Sequence, residues 1–199
     1  KDIHEGTIST SLGLKANPNI SEFLCLERDI RLAQYAESKL LVHQISCKES
    51  VDTISEIKDK NIYASVAYLN LCKTEDSLAT FDVNSKVNPP LRSEEDRQAL
   101  IKGVTKGHIE VITSNHVPLE KELKKKEFVY ADGGAIGLQT CFSGVNTFAD
   151  KLSLKKTVTA LSINPRKILG LEIPEIKEGE QANLTLFDPE ENWTFTKAV

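Results

Sequence analysis

The sequence predicts an α/β fold of parallel strands joined by helical crossovers. Short β-branched or apolar runs at 40–45, 62–67 and 109–113 alternate with amphipathic segments of helical period. The connections between them are a few residues long, as in right-handed βαβ units. The last of these strands ends abruptly in Ser114, Asn115 and His116 before Pro118, and ligands sit at such C-terminal strand ends in parallel sheets.

In chain order, residues 1–17 are polar and contain Gly6 and Gly13, and read as loop. Asn17-Pro18 supplies a cap and a first-turn proline for a helix whose apolar residues, Ile20, Phe23, Leu24, Ile30 and Ala33 among them, recur at helical spacing to about Ser38. After the 40–45 strand, Ser46 is the expected cap of a helix over 48–60, and 62–67 forms the next strand. Pro89 and Pro90 force extended geometry on their predecessors. Ser93-Glu94-Glu95-Asp96 approximates a capping box for a helix to about Thr105, stopped by Lys106-Gly107 ahead of the 109–113 strand. The loop 114–134 is long and rich in lysine and glutamate, a solvated excursion or a lid at a strand's exit. Helices are expected over 135–149, 153–161 and 164–169, with Gly170 stopping the last. From 172 onward the pattern turns to strands, at 182–189 and 193–196.

Composition narrows the class. The 199 residues are 40% hydrophobic and 27% charged, enough for a sizeable core and too apolar for a disordered chain. A net charge of −4 without a basic stripe argues against nucleic acid. Four cysteines, Cys25, Cys47, Cys72 and Cys141, lack C-x-x-C spacing, which points to reduced thiols in a cytoplasmic protein. No run of 18 apolar residues suggests a membrane span. The first residue is Lys1 and the chain contains no methionine, so an N-terminal portion is expected to precede it.

The segment K-V-N-P-P-L-R at 86–92, the helix after it, and the strand ending T-S-N-H-V-P-L at 113–119 resemble the dihydroorotase family of cyclic amidohydrolases. That family carries K-x-N-P-P-L-R, a helix, and a strand ending A-T-D-H-A-P-H. S-T-S-L-G-L-K at 9–15 and the tail with Gly179, Ala182-Asn183-Leu184 and Asp188-Pro189 extend the resemblance over nearly the whole chain. It implies the C-terminal half of a (β/α)8 TIM-type barrel over 1–171, because a full barrel needs about 250 residues, followed over 172–199 by strands of a small β-domain. It also implies a zinc-dependent interconversion of dihydroorotate and N-carbamoyl-aspartate in pyrimidine biosynthesis, by a homo-oligomer or in complex with a pathway enzyme. The alternative is a non-catalytic scaffold assembling with a partner such as aspartate transcarbamoylase. Allantoinase and hydantoinase relatives share related signatures.

The positions that do the family's chemistry are altered. Matching Ser46 to the serine of the family's H-V-S-T puts Gln44 at a metal-binding histidine, with His43 one residue off and, by period two, on the opposite face. Asn115 stands at the catalytic aspartate, and a carboxamide cannot shuttle a proton. His116 matches the following histidine and is the weak candidate for a ligand, while Leu119 replaces the last histidine. Ala67-Tyr68-Leu69-Asn70-Leu71 stands where the family has T-P-H-H-L. On the substrate side, Asn88 matches the asparagine that contacts the dihydropyrimidine ring, and Gly133-Gly134 with Ile136-Gly137-Leu138 resembles the segment whose backbone approaches the ligand.

Overall fold

A computed structural model describes residues 3–149 and 151–196. Its centre is a parallel sheet of β1 (Leu40–Val42), β2 (Ile62–Ala67) and β3 (Val111–Thr113), in that spatial order. Leu40 pairs with Ile62 and Val42 with Ala64, while Val66 pairs with Ile112. These six residues face the helices and build the main core with Leu26, Ile30, Leu100 and Val104. Leu41, Tyr63, Ser65, Val111 and Thr113 occupy the alternate positions and so share the other face.

The helices are α1 (Thr7–Ser11), α2 (Asn19–Tyr35), α3 (Lys48–Glu56), α4 (Tyr68–Cys72), α5 (Glu94–Lys106), α6 (Lys121–Lys124), α7 (Cys141–Phe148), α8 (Leu154–Val158) and α9 (Asn164–Leu169). Helix α3 crosses from β1 to β2, and α4 with α5 crosses from β2 to β3. Helix α5 has the expected ends. Ser93 Oγ accepts from the Asp96 amide while the Asp96 carboxylate accepts from the Ser93 amide, and Gly107 closes the helix at φ 80°. A π-turn over Thr159–Ile163 makes α8 and α9 continuous.

Several expectations are corrected. The first 17 residues are not all loop: α1 forms, and Ile3, Leu78 and Phe128 make a small second core beside Ile8 and Leu12. Residues 1 and 2 lie outside the described residues. Strand β1 stops at Val42 because Gln44 turns left-handed at φ 60°. Helix α3 is capped at Cys47, not Ser46, whose hydroxyl is bonded to Glu22, and it stops at Glu56. The Asp59 carboxylate then accepts the Asn61 amide in a turn that competes with further helix. Residues 135–140 are not helical, since Gly137 is drawn against the exit of β3.

Residues 172–196 contain no strand, against the expected strands at 182–189 and 193–196; residues 197–199 lie outside the described residues. A strand needs a ladder partner, and this tail meets the body through side chains instead. The Phe142 and Phe187 rings pack at 4.7 Å, and Asn146 Nδ2 donates to the Pro189 carbonyl. Among the described residues no helix is long and apolar enough to cross a membrane.

Candidate functional site

The 86–92 segment crosses beside the C-terminal ends of the strands and is held at each end by a buried cation. Arg92 is 2% exposed. Its guanidinium donates to Ser46 Oγ at 3.0 Å and the Asn17 carbonyl at 2.6 Å, and lies 3.6 Å from Glu22. Glu22 in turn accepts the backbone amides of Ser46 and Cys47, and Asp96 accepts that of Lys48. Two carboxylates from other helices thus satisfy the orphan donors at the start of α3, where the helix dipole favours negative charge. At the other end Lys86, 5% exposed, donates to the carbonyls of Phe128 and Ala131. Asn70 Nδ2 donates to the Pro90 carbonyl between them.

This clamping leaves Asn88 exposed at the rim of a cleft of about 540 Å³, which Glu22, His43, Gln44 and Arg92 also line. Asn115, left-handed at φ 43°, donates from Nδ2 to the Asn88 carbonyl at 3.0 Å. The structure therefore brings together the two asparagines that the sequence singled out 27 residues apart.

Gln44 reaches across the strand ends, its Nε2 donating to Thr113 Oγ1 at 3.0 Å and its backbone amide to Ser65 Oγ at 2.8 Å. His43 Nδ1 lies 3.3 Å from the same Ser65 hydroxyl. The expectation that His43 and Gln44 face opposite ways is corrected: His43 continues the alternation of Leu41 onto the Ser65 face, and the left-handed turn at Gln44 brings the Gln44 side chain to Thr113 on that same face. Ser65, a fully buried hydroxyl inside an apolar strand, is the sequence signal for this cluster.

His116 Nδ1 accepts the Gly137 amide at 3.0 Å and the Leu138 amide at 3.4 Å, so that nitrogen's lone pair is engaged by the backbone. The Val117 amide donates to the Ala135 carbonyl and the Gly134 amide to the Lys86 carbonyl. A Cβ on Gly137 would collide with the Ser114 carbonyl oxygen and touch the Tyr68 ring, so the docking of this segment on β3 requires glycine. Tyr68 OH bonds to Thr140 Oγ1 at 2.7 Å, and burial raises its pKa above the ordinary value.

Zinc is held by cysteine thiolates, imidazoles and carboxylates. Among the described residues no three such groups stand together. At the strand ends His43 is the one imidazole beside Ser65. Gln44 and Asn115 offer neutral carboxamides whose nitrogens already donate, and Leu69 packs against the core. These residues do not fit a zinc ion by themselves. What the arrangement can do is present carboxamides, hydroxyls and backbone groups to a polar, uncharged ring.

The chain belongs to the amidohydrolase family, which matches residues 26–198, and its parallel sheet with polar side chains gathered at the C-terminal edge is part of a (β/α) barrel of that family. Within that family it is similar to dihydroorotases. The one from Caldicellulosiruptor saccharolyticus is 39% identical over 196 residues, covering 96% of this chain and 46% of the relative. The one from a Thermoanaerobacter species is 40% identical over 200 residues, covering 98% and 46%. Among solved structures, an L-hydantoinase (dihydropyrimidinase) from Arthrobacter aurescens matches at a TM-score of 0.74 and 26% identity, over 83% of this chain and 39% of that one. The chain spans about half the length of the curated relatives it matches.

Proposed function

We propose that this chain is the ring-binding half of a dihydroorotase-like protein of pyrimidine biosynthesis, and that its strand-end residues bind dihydroorotate without hydrolysing it. The observation that carries this is the Asn115 carboxamide bonded to the Asn88 carbonyl, where an amidohydrolase of this type needs a carboxylate to move a proton between the attacking hydroxide and the leaving nitrogen. A carboxamide can hydrogen-bond both amide edges of a dihydropyrimidine ring, but it can neither take up nor release that proton near neutral pH. The non-catalytic reading also gives the retained scaffold a use: assembly with a partner enzyme such as aspartate transcarbamoylase, or as a homo-oligomer, in the cytoplasm. The small β-domain completed by residues 172–199 belongs to the same proposal.

A second reading, hydrolysis by the whole protein with zinc held by residues beyond this chain and by His43, is favoured by the dihydroorotase relatives and by the position of that imidazole beside Ser65. The hydantoinase likeness supports the same class of cyclic amide. The test is calorimetric titration of the whole protein with dihydroorotate, alongside chromatographic assay for N-carbamoyl-aspartate. Binding that Asn88→Ala removes, with no product formed, is the expected result; product formed at enzymatic rates overturns it.

A further inference from the structure

We infer that Lys86 is a positioning residue that ties the long 114–134 excursion to the ring-binding cleft. A buried ammonium is costly unless its protons are used. Lys86 Nζ donates to the carbonyls of Phe128 at 2.9 Å and Ala131 at 2.5 Å, with that of Val129 at 3.4 Å, and lies 5.2 Å from the centre of the Phe128 ring. Three carbonyls within four residues converge on one ammonium only while the turn keeps its shape. The Tyr130 and Ala131 amides, both donating to the Glu127 carbonyl, and Phe128 in the second core hold it there.

The same residue reaches the cleft through its backbone. Its carbonyl accepts the Gly134 amide at 2.8 Å, the start of the segment that carries the Gly137 amide onto His116. Two residues along the chain is Asn88, whose carbonyl accepts from Asn115. Both ends of the excursion, Asn115 and Gly134, are thereby referred to one clamped point. The functional consequence rests on the ring-binding reading above; the tether itself does not.

The experiment uses the whole protein with Lys86→Met, which keeps the length and removes the ammonium, and Lys86→Arg, which keeps the charge. Amide hydrogen exchange is followed at Gly134, Gly137 and, as a control on global stability, along α5, and dihydroorotate affinity is measured by calorimetry. Charge-assisted hydrogen bonds of this kind imply about tenfold faster exchange at Gly134 and Gly137 and about tenfold weaker binding in Lys86→Met, with α5 unchanged and Lys86→Arg recovering most of both. Unchanged exchange at the two glycines overturns the inference, as does a loss of protection shared equally with α5. Loosened amides with undiminished affinity overturn the positioning role. Loosened amides in Lys86→Met together with no binding by the parent protein support the tether and overturn the ring-binding reading alone.

Discussion

The opening of α3 and the ends of β1 and β3 treat charge in opposite ways. At the opening of α3, beside the cleft, Glu22 is paired with buried Arg92, and Glu22 and Asp96 accept the amides that begin the helix. At the strand ends, where a metal hydrolase would concentrate its charges, Gln44 donates to Thr113 and Asn115 to the Asn88 carbonyl, both neutral hydrogen bonds. The difference teaches that the charges beside the cleft are committed to each other and to backbone amides, while Gln44, Thr113 and Asn115 meet it with neutral side chains.

The sharpest way to break this comparison is to remove the buried cation beside α3. Arg92→Met leaves Glu22 without its cation and Ser46 and the Asn17 carbonyl without a donor, so unfolding free energy should fall by about 3 kcal/mol. A urea midpoint unchanged from the parent would mean that the network is incidental. At the edge the constraint is steric instead. Gly137→Ala drives a Cβ into the Ser114 carbonyl and should cost about 2 kcal/mol while pushing the 133–138 segment off β3. The same urea titration, read with dihydroorotate affinity, checks both parts.

The smallest expected effect concerns an exposed pair. Glu94 receives two 2.7 Å hydrogen bonds from Arg97, which hold its carboxyl down to about 2 against an ordinary 4.5. Because the folded value lies below the unfolded one, the stability it contributes is present above pH 4.5 and is lost as pH falls toward 2. Glu94→Gln should therefore cost about 0.5 kcal/mol near neutral pH, the Glu94 carboxylate being largely solvated, and nothing at the acid end. A parent-to-variant difference in unfolding free energy that stays constant from pH 6 to the acid end (~2) would contradict the assignment.

Much of the scaffold was legible in the residues. The alternation of β-branched runs and amphipathic segments predicts β2 as observed, and Ser93, Asp96 and Gly107 mark both ends of α5. The asparagines at 88 and 115 were singled out by their place in the motifs. Their mutual hydrogen bond was not, since it depends on a left-handed turn that no local pattern announces. The same is true of Gln44, whose φ of 60° breaks the alternation and turns its side chain onto the face that His43 already shares with Ser65. The tail from 172 illustrates a different limit. Alternating apolar residues state a preference for extended backbone, but a strand also needs a neighbour to pair with, which the preference does not supply. Lys86 and Arg92 read as motif letters until the structure showed what each one holds.

On the proposed reading, the strand ends of this chain bind the ring and do not turn it over. The most direct measurement is the zinc content of the whole protein, purified without added chelator, taken together with dihydroorotate hydrolysis on the same sample. Substoichiometric zinc and no N-carbamoyl-aspartate, in a preparation that still binds dihydroorotate, is the predicted result. One or more zinc ions per chain with steady turnover would contradict it and would make His43 the residue to follow.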